Sequence, residues 1–189
     1  MMSRAPTRPL DTYTSRRDSL AKHLDYKDWA PGPYISFTTS PTAINKLAPK
    51  RVRGRGSPTL TVVDPHRRME NRLPVLKVTA EMDYYDIQDP YGKSDFYINH
   101  YVCLWQVTAA EVVGNWDWTY LSKHENWYHD IILPAFEGFT TTPSATGNET
   151  SLAAEHGTAE STDNGIVDLQ NAFGRMSGKF IVLIYNYKS

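Results

Sequence analysis

The segment Tyr34-Ile35-Ser36-Phe37-Thr38-Thr39-Ser40-Pro41-Thr42-Ala43-Ile44 constrains the fold of this chain more tightly than any other stretch. Strand residues alternate sides, so Tyr34, Ser36 and Thr38 share one face while Ile35 and Phe37 point into a core on the other. Ser40 is a good N-cap, and Pro41 suits the first helical position, where no backbone N–H is needed. The segment predicts a strand, a tight turn and a helix. It also sets two hydroxyls, Ser36 and Thr38, on a common face.

Around this unit the chain reads as a mixed α+β domain. Pro31-Gly32-Pro33 is a firm turn before the strand. Asp18 to Leu24 reads as a short helix with Leu20 and Leu24 on one side. The Ser40 helix carries Ala43, Ile44 and Leu47 and is expected to stop before Pro49. Lys50-Arg51-Val52-Arg53-Gly54-Arg55-Gly56 reads as a solvated basic loop; without interleaved aromatics it lacks the stacking groups of a nucleic-acid site. Thr59–Val63, Tyr97–Val107 and a stretch re-entered near Val112 read as strands.

Phe180-Ile181-Val182-Leu183-Ile184-Tyr185-Asn186-Tyr187 is strongly β-forming and must be covered, so it is expected to add back onto the sheet. Between lies Thr140 to Gly165, with no Lys, Arg or aromatic residue. Such a composition buries too little apolar surface to offset the entropy of ordering it. The expected organisation is therefore a domain over 1–139, a flexible loop or linker over 140–165 and a C-terminal strand within 166–189.

Composition excludes several function classes. With 189 residues, a net charge of -1 and pI near 6.6, no global charge points to nucleic acid or a membrane surface. No apolar run approaches the length of a membrane span. Met1-Met2-Ser3-Arg4-Ala5-Pro6 has no apolar leader, so the chain as written reads as cytoplasmic, and as secreted only if its N-terminus is truncated. Cys103 is the only cysteine and sits in an apolar run, as a small buried hydrophobe would. His124-Glu125-Asn126-Trp127-Tyr128-His129 is one residue too long for H-E-x-x-H, and five apart the two rings diverge. No metal site is expected. Neither a nucleophile elbow nor a Walker loop is present.

Three segments in order carry a resemblance. Arg4-Ala5-Pro6-Thr7-Arg8-Pro9-Leu10-Asp11, then Tyr34-Ile35-Ser36-Phe37-Thr38 with its helix, then Ile98-Asn99-His100-Tyr101-Val102-Cys103-Leu104 running on to Gly114 and Trp116 resemble the mono-ADP-ribosyltransferases. The likeness is to the A chains of cholera toxin and heat-labile enterotoxin, with their first-strand Arg, Y-x-S-T-S segment and E/Q-x-E strand. Asn126 to Ala135 is similar to the segment beyond. The chain also resembles an uncharacterised fungal domain family with an F-I-S-x-x-S-type segment. This resemblance implies two small, packed, mainly antiparallel sheets around a cleft, with short flanking helices. It implies NAD as ligand and substrate, no metal, a protein target, and Arg4, Ala5 and Tyr34 on the cofactor. Ser36 and Thr38 would floor the pocket and orient a catalytic Glu.

The pattern departs at its centre: Ile98 and His100 stand where the family has E/Q and E. A neutral imidazole accepts a hydrogen bond but brings no negative charge to an oxocarbenium-like transition state, a loss on the order of 3–4 kcal/mol. Moving Asp95 forward instead takes a three-residue shift that breaks the alternation after Tyr101. The expectation is thus an ADP-ribosyltransferase-like domain with a degenerate site. An active transferase or NAD glycohydrolase using another acid is one alternative. A non-enzymatic interaction module using Trp116-Asp117-Trp118-Thr119-Tyr120 is the other.

Overall fold

A computed structural model of the chain describes residues 1–5, 7, 9–25, 27–28, 30–55, 59–92, 94–141 and 180–184. Helix α1 (Tyr13–Leu24) opens at Thr12, whose hydroxyl accepts from the Ser15 N–H while the Ser15 hydroxyl accepts from the Thr12 N–H. That reciprocal cap starts the helix a turn before the expected Asp18. Strand β1 (Tyr34–Thr38) and α2 (Pro41–Arg55) follow, joined as the sequence predicts. The Ser40 hydroxyl accepts from the Ala43 N–H at 3.2 Å, and the Thr38 hydroxyl accepts from the Ser40 N–H at 3.1 Å.

Helix α2 corrects one expectation: it runs through Pro49 to Arg55, so the basic run is helix rather than loop. Ile44 and Ala48 are fully buried and anchor it. Lys and Arg are good helix formers, and cations suit a helix C-terminus.

Next come β2 (Thr59–Val63), α3 (Pro65–Glu70), β3 (Leu76–Lys77) and α4 (Val78–Tyr85). A 3₁₀ turn (Ser94–Phe96) precedes β4 (His100–Leu104), and a second (Ala109–Glu111) precedes β5 (Val112–Asp117). The short α5 (Trp118–Leu121), a π-helical turn (Tyr128–Ile132) and α6 (Leu133–Thr141) lead on to β6 (Phe180–Ile184). Thr140 and Thr141 are therefore helical; the remainder of the expected 140–165 loop lies outside the described residues.

The strands are ordered β3-β4-β1-β6-β2-β5, every neighbouring pair antiparallel. Two small antiparallel units make up this arrangement. β3-β4-β1 and β6-β2-β5 meet where β1 and β6 share a single register pair, Thr38 opposite Ile181. β6 pairs along its whole length with β2, from Thr59 opposite Ile184 to Val63 opposite Phe180.

The β1–β4 register, from Tyr34 opposite Leu104 to Thr38 opposite His100, sends side chains to two cores. Ile35, Phe37, Tyr101 and Cys103 face one side with Val63, Val75 and Val107. Tyr34 and Val102 face the other, under Leu20 and Leu24 of α1 and Val78, Met82 and Tyr85 of α4. A third cluster joins Ile44 and Ala48 of α2 to Leu60, Val62, Trp118 and Trp127. No helix among the described residues is long and apolar enough to cross a membrane.

Candidate functional site

The α1-covered face of β1 and β4 gathers the polar groups. Ser36 is exposed, and its Oγ lies 2.8 Å from Nε2 of His23 on α1. The Tyr34 ring packs against His23 at 5.2 Å, tilted by 47°. Two residues along β1, Thr38 stands opposite His100. His100 is 8% exposed and stacks on Tyr97 at 6.0 Å and 11°, with Phe96 edge-on. Its Nδ1 is buried with no hydrogen-bond partner. Of the expected site residues, the fold brings Tyr34, Ser36, Thr38 and His100 to this one face.

Both imidazoles are held neutral. Burial lowers His23 to about 4. Burial, then the repulsion of His23, lowers His100 to about 3. Tyr34 is pushed up to about 12, first by burial and then by the charges of Tyr85 and Glu81. At neutral pH this is a surface of uncharged donors and acceptors. Its groups can hydrogen-bond to a hydroxyl or an amide, and the carboxylates that act at its edges are Glu81 on Tyr34 and Asp25 on Tyr97.

Other expected residues lie elsewhere. Ile98 sits in the turn before β4, 52% exposed, and the strand starts at His100 rather than Tyr97. The partner strand explains this: β1 ends at Thr38, so residues 97–99 have nothing to pair with beyond one Thr39 N–H to Asn99 carbonyl bond at 3.2 Å. Asp95 is exposed in the preceding 3₁₀ turn.

Arg4 and Ala5 run beside the Gly32 turn, which lies against the His23 ring. The Ser3 N–H donates to the Trp105 carbonyl at 2.6 Å and the Ala5 N–H to the Gly32 carbonyl at 3.0 Å. This N-terminal segment makes a single bridge, Met2 with Gln106, instead of a strand. It lies past the Leu104 end of β4, about 13 Å of strand from His100.

In the aromatic stretch read as a contact surface, Asp117, Thr119 and Tyr120 are exposed, Trp116 is half-buried and Trp118 is core. Trp118 is 5% exposed and packs edge-on against Trp127, and Tyr120 is the exposed aromatic. Cys103 is fully buried, and burial pushes its thiol up to about 12. No group of three or more His, Cys, Asp or Glu side chains able to hold a metal occurs among the described residues.

Two features escaped the sequence reading. His23 lies three residues after Leu20, on the edge of the buried side of α1; that spacing was its signal. The second is on the opposite face of β4. Arg68 and Glu111 are 1% and 0% exposed, with Nη1 to Oε2 at 2.7 Å. Arg68 also donates to the carbonyls of Pro74, Gln106 and Leu104, and Glu111 accepts from the Thr108 hydroxyl and N–H. Of these three carbonyls, those of Leu104 and Gln106 bracket Trp105, whose φ of 62° is strained for a bulky side chain. Thr108-Ala109-Ala110-Glu111 is a readable capping box, but its buried partner 43 residues earlier is not.

No curated protein matches the chain, and no solved structure matches it. The family model described as Domain of unknown function (DUF7587) matches residues 2–121, more than half the chain and the part that carries β1 to β5. The chain belongs to the DUF7587 family.

Proposed function

We propose that this domain is an ADP-ribosyltransferase-like binding module with a degenerate site: it takes an NAD-type dinucleotide weakly and does not turn it over. One observation carries the reading. Thr38 stands opposite His100 with Ser36 on the same face, the juxtaposition the resemblance requires of its hydroxyl strand and its acid position. The acid itself is replaced by a buried, neutral imidazole. Binding through hydroxyls and imidazoles survives that exchange; stabilisation of an oxocarbenium-like state does not.

The test has two arms. Millimolar NAD raises the melting temperature of the wild-type protein by a degree or more, and no nicotinamide is released. His100→Glu restores a carboxylate and raises nicotinamide release above the buffer background. No thermal shift with any NAD-type dinucleotide removes the binding reading. Release by the wild-type protein makes it an active enzyme with another acid.

A further inference from the structure

We propose that Ser36 and His23 form a nucleophile–base pair that hydrolyses an activated acyl ester through an acyl-serine. The pair belongs to the face described above, but this activity does not depend on dinucleotide binding.

Nucleophilic catalysis by a serine needs a hydroxyl that a substrate can reach, a neutral base in hydrogen-bond contact with it, and a donor for the developing oxyanion. Ser36 is exposed on β1, and its Oγ lies 2.8 Å from Nε2 of His23. The two stand on different elements, so their contact is set by the packing of α1, where the buried Leu20 and Leu24 flank His23. The imidazole packs on the Tyr34 ring at 5.2 Å, and a Cβ added at Gly32 would stand 3.9 Å from its Nδ1. Burial keeps the ring neutral at neutral pH. With its proton on Nδ1, it accepts the Ser36 proton at Nε2.

The oxyanion donor follows from the register. The Trp105 N–H bonds to the Pro33 carbonyl and the Thr39 N–H to the Asn99 carbonyl. Antiparallel bonding alternates, so Ile35 and Phe37 bond to β4, and Ser36 turns its own N–H to the other edge of β1. There β6 pairs with β1 only at Thr38, and among the described residues Ser36 has no register partner on that side. A nucleophile's own N–H serves as an oxyanion donor in serine acyl transfer. In the first step Oγ bonds to the acyl carbon, its proton passes to Nε2, and the ester C–O bond breaks as the alcohol leaves with that proton. Water then attacks the acyl-serine and gives a proton to Nε2, which returns it to Oγ as the carboxylic acid departs.

The test treats the full chain with p-nitrophenyl acetate and with a fluorophosphonate, and maps the modified residue by peptide mass spectrometry. Both reagents are expected to label Ser36, with p-nitrophenol released beyond a single equivalent, and Ser36→Ala, at an exposed position, abolishes both. Fluorophosphonate should label Ser36 about a hundredfold faster than the exposed Ser122, and His23→Gln should slow the labelling of Ser36 by a similar factor. Equal rates at Ser36 and Ser122 overturn the proposal, and that comparison needs no variant to fold. Equal labelling of Ser36 in the wild-type and a folded His23→Gln protein also overturns it. Neither result touches the dinucleotide reading, which stands or falls on thermal shift and nicotinamide release.

Discussion

The two faces of β4 handle buried polarity in opposite ways. On one, Arg68 and Glu111 are sealed from water, and each is bonded to the other and to the surrounding backbone. On the other, His23 and His100 escape the cost of burial by staying neutral, and His100 keeps an orphaned nitrogen. A completed network fixes a structure; here it clamps the carbonyls on both sides of the strained Trp105 and so terminates β4. An incomplete set of uncharged groups, with an exposed hydroxyl at its edge, is suited to receive something. Chemistry separates the scaffold from the candidate site more cleanly than position does.

Breaking the closed network has the largest expected effect. Arg68→Met leaves the Glu111 carboxylate buried and unpaired, and should cost about 3–5 kcal/mol in urea unfolding. Adding Glu111→Leu should return part of that loss, because the uncompensated charge is gone while the carbonyls of Pro74, Leu104 and Gln106 still lack their guanidinium donor. A single-variant loss below about 1 kcal/mol would equate the two faces.

Acid probes the open face with an intermediate effect. The histidines titrate near 6.5 when unfolded but at about 4 and about 3 when folded, so between these values the unfolded chain binds more protons. Their contribution is intact above pH 6.5 and declines as pH falls toward 4 and 3, at up to ~1.4 kcal/mol per pH unit for each ring. His100→Phe should therefore lessen the pH dependence of unfolding between pH 7 and 5. An unchanged slope would mean that His100 is not held neutral. The smallest effect is expected for Ser36→Ala, which removes one bond at an exposed position and should cost less than about 1 kcal/mol.

Much of this was legible wherever the controlling interactions are local. The Tyr34–Thr38 alternation and the Ser40–Pro41 cap follow from side-chain period and cap chemistry, and both stand in the fold. The misread boundaries are those set at a distance. Tyr97-Ile98-Asn99 is strand-like in composition but turns, because β1 has already ended. Pro49 suggested a stop, yet Ala48 is locked into a core made by β2, α5 and the segment beyond. Arg4 looked like the start of a strand, but its neighbours bond to Trp105 and Gly32, which only the fold brings near. Within the candidate site, Ser36, Thr38 and His100 were readable from pattern. The hydrogen bond from α1 that completes it was not, since nothing near His23 in the sequence names Ser36 as its partner.

The position of β6 carries a consequence for how this chain is made. Among the described residues β1 and β2 precede the other strands in sequence, yet the strand between them comes last. Leu60 waits for Leu183, and Thr38 for Ile181. Until then the nascent domain holds two inward-facing edges open, each a template for the wrong strand. The described sheet is thus completed only after those residues emerge. The long separation between partners makes a slow final step the expected signature of its folding.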